Sequence, residues 1–467
     1  MQLIKYEKVI FYFLSIFLFF SFVSLINIPN EFDFYLIKIK NPDIFKSLKP
    51  KKYILPIIDK EEILDSMVFR NIYEKKEKIL KHINLKFEYP ENDVFKLKNF
   101  FNSLLNTNKE VVHILHYGDS QIEGDRITNK LRELLQKEFG GKGIGLMSIV
   151  PYNNYIYPIK LIYSDDWEKI EFKRLKNKIK IAPLFFITKL KHLNIADCDN
   201  LQFYLSNFKV RLPYTLKKIK LIYSNNCYPT NLNVMENNKI IHQCTLEISP
   251  EIKVCEINYK FKRNTDYFFE FYGKGNFIIY AISFESETGV IISNIGVRAN
   301  SGLEFTYMNK KYLKQIIDQL NVKLIIYQFG INVIPSLKEK NLLTYKKKLE
   351  TQLNFLKSLD LDVIVIGVTD MATKINGELK SHELIYKLNE IQKKVALKTN
   401  CIFWNTLEKM GGENSIIKWA NKNPPLAAKD YIHLTNTGCD SIAIMFFNDL
   451  INDFNIYKIL LKELSDK

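Results

Sequence analysis

Cysteine is scarce and unclustered in this chain of 467 residues: Cys198, Cys227, Cys244, Cys255, Cys401 and Cys439 form no CxxC pair and no Cys/His group at zinc-ligand spacing. Neither a metal centre nor any other cofactor is therefore expected. Cys244 and Cys255 are spaced to face each other across a short hairpin, a pairing that an oxidising compartment permits. Proline, glycine and serine form no tract long enough for a disordered linker. Lysine and arginine outnumber the acidic residues by 67 to 51, a net charge of +16, but no basic helix or stripe collects them. Scattered lysines read as a solvated surface, and nucleic acid is not an expected partner.

Long apolar runs are absent except at one place. Val9 to Ile28, VIFYFLSIFLFFSFVSLINI, carries no charge and is long enough to cross a hydrocarbon core of about 30 Å as a helix. Lys5 and Lys8 precede it and Glu31 and Asp33 follow, so the positive-inside rule places the N-terminus in the cytoplasm and the rest outside. A cleaved signal peptide is the competing reading. Against it, the run lacks a small-x-small end and no cysteine follows for lipidation, which favours an uncleaved anchor over residues 1–29.

Residues 30–107 carry mixed charge and short helical patterns such as VFKLKNFFNSLLN, and read as a membrane-proximal stalk. From Val111 onward, apolar runs of strand length alternate with amphipathic helices, the pattern of a parallel sheet covered on both faces. VVHILHYG leads to a helix from about Asp125 to Glu138. Strands follow near Val290 to Ile295, at KLIIYQ and at DVIVIG, separated by helices whose apolar residues, such as Leu313, Ile316, Ile317 and Leu320, share one face. A helix over about 380–398, a short strand at 401–404 and a closing helix over about 436–452 complete a three-layer α/β domain, 108–150 with 290–467. Between its two parts, residues 151–289 have the period of strands: EINYKFKR sets Ile257, Tyr259 and Phe261 opposite Asn258, Lys260 and Lys262. An inserted β-sandwich is predicted. Its many aromatic residues fit either a sugar-binding face or, more commonly, a sandwich core.

Gly118-Asp119-Ser120 lies between the first strand and the first helix, at the carboxyl edge where ligands bind in such sheets. A serine beside a helix start would be favoured by the helix amides and dipole, although Asp-Ser is also ordinary capping chemistry. A serine nucleophile needs a base. Of the seven histidines, His82 lies in the stalk, His192 and His242 in the insert, His382 near a helix start, and His113 and His116 on the first strand itself. His433 remains, three residues after Asp430 in DYIH, a spacing that can bring a carboxylate to one ring nitrogen and leave the other for the serine.

Taken together, GDSQIEGDRIT with Ser120, FGIN with Asn332 and DYIH with His433 resemble the ordered blocks of the SGNH (GDSL-type) hydrolase superfamily, over about 108–150 and 290–455. The resemblance implies that Ser120 attacks an ester carbonyl, His433 takes and returns its proton, and Asp430 orients the imidazole. It also implies an oxyanion site built from the Asn332 side chain and a backbone amide. In SNIGVRANSG the chain departs from the family, since Ala299 stands where glycine is usual and Gly296 fits a different register. HYGDSQIEGDRI and MGGENSIIKWANKNPPLAAKDYIHLT are similar to bacterial peptidoglycan O-acetylesterases, in which a sandwich resembling a carbohydrate-binding module also interrupts the catalytic domain. That likeness implies an O-acetylated envelope glycan as partner and a single-pass protein of the bacterial inner membrane facing the periplasm. Acetyl transfer to an envelope polysaccharide, or a non-catalytic carbohydrate-binding scaffold, are the alternative functions.

Overall fold

The computed structural model describes residues 31–34, 37–40, 84–151, 158–171, 184–191, 202–225, 228–275 and 277–465. The chain divides into two compact units, Met1–Glu74 and Lys75–Lys467. Of the first, the described part is an antiparallel pair, Glu31–Phe34 with Ile37–Lys40. The expected anchor, Val9 to Ile28, lies outside the described residues. Among those described, no helix is long and apolar enough to cross a membrane.

Five parallel strands form the centre of the second unit, in the spatial order Gly289–Gly296, Val111–Gly118, Val322–Gln328, Asp362–Ile366 and Ile402–Trp404. Strand side chains alternate between faces, so each run feeds two cores. Ile325, Tyr327, Val363 and Val365 join the helices Lys310–Leu320, Leu342–Lys357 and Leu384–Lys398 on one side. Leu324, Ile326, Ile364 and Ile366 meet Lys98–Leu105, Arg126–Phe139 and Asn436–Ser465 on the other. Burial on both faces is why these strands read as continuous apolar runs.

Residues 84–107 depart from the expected stalk. Phe100, Phe101 and Leu104 are buried in the second of these cores, and the backbone of Glu88 pairs with that of Phe403, covering the edge of the sheet. Buried Asp362 accepts the Phe100 N–H at 2.9 Å, and buried Asp453 accepts from Phe87 N–H and the Tyr89 hydroxyl. The closing helix is also longer than its sequence pattern suggested, because its second half packs Phe454, Tyr457 and Leu460 on this added segment.

Two antiparallel sheets, of five and six strands, are inserted between the first and second halves of the α/β body. They share a core of Trp167, Phe208, Leu221, Val234, Phe269 and Phe271. Phe208 and Phe269 stack at 4.6 Å, so these aromatic rings serve the sandwich interior. Ile257 and Phe261 face that core while Asn258 and Lys260 are exposed, as the alternation in EINYKFKR predicts. The sheets begin with Gly145–Met147 and end with Phe277–Glu285, and Lys142 and Ser286 exchange two hydrogen bonds of 2.9 Å at the neck. Phe277–Glu285 is buried along its whole length. Ile279 and Ile282 point into the sandwich, whereas Ile278 and Tyr280 join the same apolar cluster as Tyr117 and Phe305 of the α/β body. Phe185 meets Tyr117 edge-on at 5.4 Å in that cluster, so the insert is seated on the α/β body through packed side chains.

Candidate active site

The carboxyl end of Val111–Gly118 is crowded. Gly118 is flanked in register by Gly296 and Gln328, and a Cβ there would fall 2.8 Å from the Ile122 side chain and 2.9 Å from the Gln328 carbonyl oxygen. Glycine lets the chain turn at once, and Asp119 closes the turn by accepting Gln121 N–H on its carboxylate at 2.9 Å and Glu123 N–H on its carbonyl at 3.2 Å. Ser120 sits half-buried at the corner of this turn. The α-helix Arg126–Phe139 does not start beside it, because a single 3-10 turn, Glu123–Asp125, intervenes.

Ser120 Oγ lies 3.1 Å from His433 Nε2, across a sequence separation of 313 residues. On the far side of the ring, His433 Nδ1 is 2.7 Å from Asp430 Oδ2. Asp430 Oδ1 accepts the backbone N–H groups of Ile432 and His433, both at 3.0 Å. Partial burial works against its ionisation, but the hydrogen bonds from His433 and Ile432 prevail and hold the carboxyl below the usual carboxylate range. An ionised Asp430 fixes the proton on Nδ1 and leaves Nε2 as the acceptor for the serine hydroxyl.

Two residues that the sequence reading passed over tie the loops together. Gln121 Nε2 donates to the Ile432 carbonyl at 2.9 Å. Arg126 donates to the carbonyl of Ser120 and, at 3.4 Å, to that of Leu434. Both lie in the GDSQIEGDRIT block, but only contacts across the fold reveal them as clamps. Asn294 adds a third restraint, its amide donating to Ile122 O at 2.8 Å and to Thr128 Oγ1 at 2.6 Å.

Asn332 is brought to this same edge. Its side chain donates to the Asn300 carbonyl at 3.2 Å and lies beside Asp119, the residue before the serine. Burial pushes the Asp119 carboxyl up to about 7, against the opposing effects of Gln121 N–H, His433, Arg126 and Asn332. The two glycine-equivalent positions differ in kind. Gly296 N–H is already engaged by Asn294 Oδ1 at 3.2 Å, and a Cβ at Gly296 would lie 2.9 Å from Glu123 Cα, so this glycine answers to close backbone packing. Ala299 is exposed and has φ +52°, the left-handed conformation that glycine favours, and the next residue, Asn300, is the one that holds Asn332.

The remaining described histidines serve elsewhere. Buried His113 contacts Ser293 Oγ at 2.6 Å and buried His116 sits between Gln328 and Thr128. Burial lowers both rings to about 4, which keeps them neutral in the sheet. Beneath the serine turn, Gln121 Oε1, Gln328 Nε2 and Thr369 Oγ1, without partners among the described residues, line a cavity of about 10 Å³. Among the described residues the His/Cys/Asp/Glu group with metal-ligand spacing is His242, Cys244 and Cys255 in the sandwich.

No family model matches the chain, and no curated protein matches it in sequence. Among solved structures, a peptidoglycan O-acetylesterase is similar at 17% identity with a TM-score of 0.60, covering 77% of this chain and 96% of its own. That likeness is one of fold, and the fold is the SGNH-hydrolase fold. An acetyl xylan esterase (16% identity, TM-score 0.27, 34% of this chain and 80% of its own) and a salicylyl-acyltransferase of a tetracycline biosynthetic pathway (10%, 0.28, 63% and 97%) are too distant to add to it.

Proposed function

We propose that the chain is a serine carboxylic-ester hydrolase that removes O-acetyl groups from a cell-envelope glycan, peptidoglycan being the substrate of first choice. The observation that carries this reading is the unbroken relay from Ser120 through His433 to Asp430, at 3.1 and 2.7 Å. Those separations fall at hydrogen-bond reach without any movement of the chain. His433 Nε2 takes the hydroxyl proton as Ser120 Oγ bonds to the acetyl carbon. The imidazolium, stabilised by Asp430, then gives that proton to the departing sugar oxygen, leaving an acetyl-enzyme. Water, deprotonated by the same nitrogen, bonds to the acetyl carbon; the bond to Ser120 Oγ breaks, the oxygen takes the proton back from His433, and acetate leaves.

Charge builds on the carbonyl oxygen in both steps. A carboxamide has two N–H groups. One on Asn332 is held by Asn300, and the other, turned toward Asp119, is the one we assign to the oxyanion together with the Ala299 N–H. Hydrolysis is favoured over acetyl transfer because His433 and Asp430 are 38% and 46% exposed, which leaves water access to the base.

Peptidoglycan is suggested by the shared fold with an O-acetylesterase of that polymer. Residence in the bacterial inner membrane, single-pass through Val9 to Ile28 with the catalytic domain in the periplasm, suits such a substrate. The decisive experiment incubates purified protein with O-acetylated sacculi. Free acetate should appear in the supernatant; acetyl groups moved to an added glycan acceptor without free acetate would make the chain a transferase, and neither product would remove peptidoglycan as substrate.

A further inference from the structure

The insert carries a second cluster of reactive side chains, remote in sequence from the catalytic blocks. Cys244 lies on Lys239–Leu246, an edge strand of the five-stranded sheet, and Cys255 on Ser249–Phe261, an edge strand of the six-stranded sheet. Glu247 and Ile248 alone join those strands. On Lys239–Leu246 the alternation that buries Leu246 also turns His242 and Cys244 inward. Ile257 and Phe261 likewise set Cys255 on the inner side of its strand. Both cysteines pack against the sandwich core at the open margin between the sheets.

Their sulfurs are 2.9 Å apart, and His242 Nε2 is 4.0 Å from Cys255 Sγ. Ordinary non-bonded contact is about 3.5–4.0 Å. Two thiolates on one zinc, each about 2.3 Å from the metal, would stand roughly 3.7 Å apart. The approach is thus too close for a shared ion and leads toward the covalent separation of about 2.0 Å. We propose that Cys244 and Cys255 are a redox-active pair that closes to a disulfide, stapling the margins of the two sheets of the insert.

We assign Cys244 as the attacking sulfur: the hydrogen bond within the pair outweighs partial burial and, with His242 alongside, holds its thiol below the usual thiol range. The oxidant is a low-molecular-weight or protein disulfide. Cys244 Sγ bonds to one of its sulfurs and expels the other as a thiolate; Cys255, giving its proton to solvent or His242, then bonds to Cys244 Sγ and expels the second. Two protein thiols are oxidised and one external disulfide is reduced to two thiols. The crosslink needs an oxidising compartment, so it bears on location without depending on catalysis.

The test exposes the reduced, full-length protein to glutathione disulfide, quenches in acid, unfolds, alkylates and maps peptides by mass. Expected is a Cys244–Cys255 crosslink with loss of two hydrogens, Cys401 and Cys439 remaining alkylated, and a melting temperature a few degrees higher than that of the reduced form. Cys255→Ser should trap glutathione on Cys244, while Cys244→Ser should leave Cys255 a thiol. Alkylation of both cysteines after oxidation, or a crosslink from either to another cysteine, overturns the proposal. So does one-to-one binding of added zinc that shields both thiols from glutathione disulfide, which would make the cluster a metal site. The wild-type measurement stands even where a variant fails to fold.

Discussion

The loop that carries Ser120 and the loop that carries His433 are built on opposite principles. On the serine side, Asp119, Gln121, Glu123 and Asp125 are all buried, and each is tied to a partner from elsewhere in the fold or in the turn itself. Asp125, for instance, receives two hydrogen bonds from Arg132 at 2.6 and 2.7 Å, and Arg298 reaches Glu123 at 2.5 Å. On the histidine side the stretch from Leu426 to Thr435 closes on itself through Ala428 N–H to His433 O and Thr435 N–H to Leu426 O, with Asp430 and His433 partly exposed. A buried polar turn holds position because any shift leaves groups unsatisfied. A self-closed surface loop needs external clamps, and Gln121 and Arg126 supply them.

Breaking the relay itself should have the largest effect. Ser120→Ala or His433→Ala is expected to lower kcat for p-nitrophenyl acetate by about 10³-fold or more without lowering the melting temperature, and the double variant should be little worse than either. Retention of activity within tenfold would leave a carbohydrate-binding scaffold as the better reading. Next, Asp430→Asn should lower kcat less than loss of the serine or the imidazole, by no more than about 10⁴-fold, because the amide no longer holds the imidazole in its working tautomer. Equal kinetics in the two proteins would show that the exposed carboxylate does nothing for the ring.

Smaller effects separate the clamp from the chemistry. Gln121→Ala should reduce kcat about tenfold with KM nearly constant, since it frees the histidine loop and leaves every reacting group in place; a change in KM alone would contradict that role. Asp119 offers a probe of stability. Its carboxyl is raised from 3.8 to about 7 on folding, so the folded state holds a proton that the unfolded chain has released. That contribution is complete below about pH 3.8 and is lost as pH rises toward 7. Buried His113 and His116 act with the opposite sign, adding stability as pH rises from about 4 to 6.5. Urea midpoints of wild type and Asp119→Asn across pH 4 to 7 should therefore converge at the acid end and diverge toward neutrality, in favour of the variant. Parallel curves would mean that Asp119 titrates normally.

Much of the architecture was legible because hydrophobic periodicity is local. Leu313, Ile316, Ile317 and Leu320 announce a helix face, and EINYKFKR announces a half-buried strand, whatever surrounds them. The GDS and DYIH blocks were legible as candidates for the same reason: Asp430 and His433 are near neighbours in the chain. What periodicity does not encode is the identity of a distant partner. The distance from Ser120 to His433, the seating of Phe277–Glu285 between two cores, the neutral His116 beside Gln328 and the clamp from Gln121 to Ile432 all join segments far apart in sequence. The amino-acid order by itself determined the elements and their inward faces, since those follow from side-chain spacing along one strand or helix. Only the tertiary structure decided which carbonyls the polar side chains of the serine turn reach, because burial and hydrogen-bond satisfaction are settled when separate elements pack.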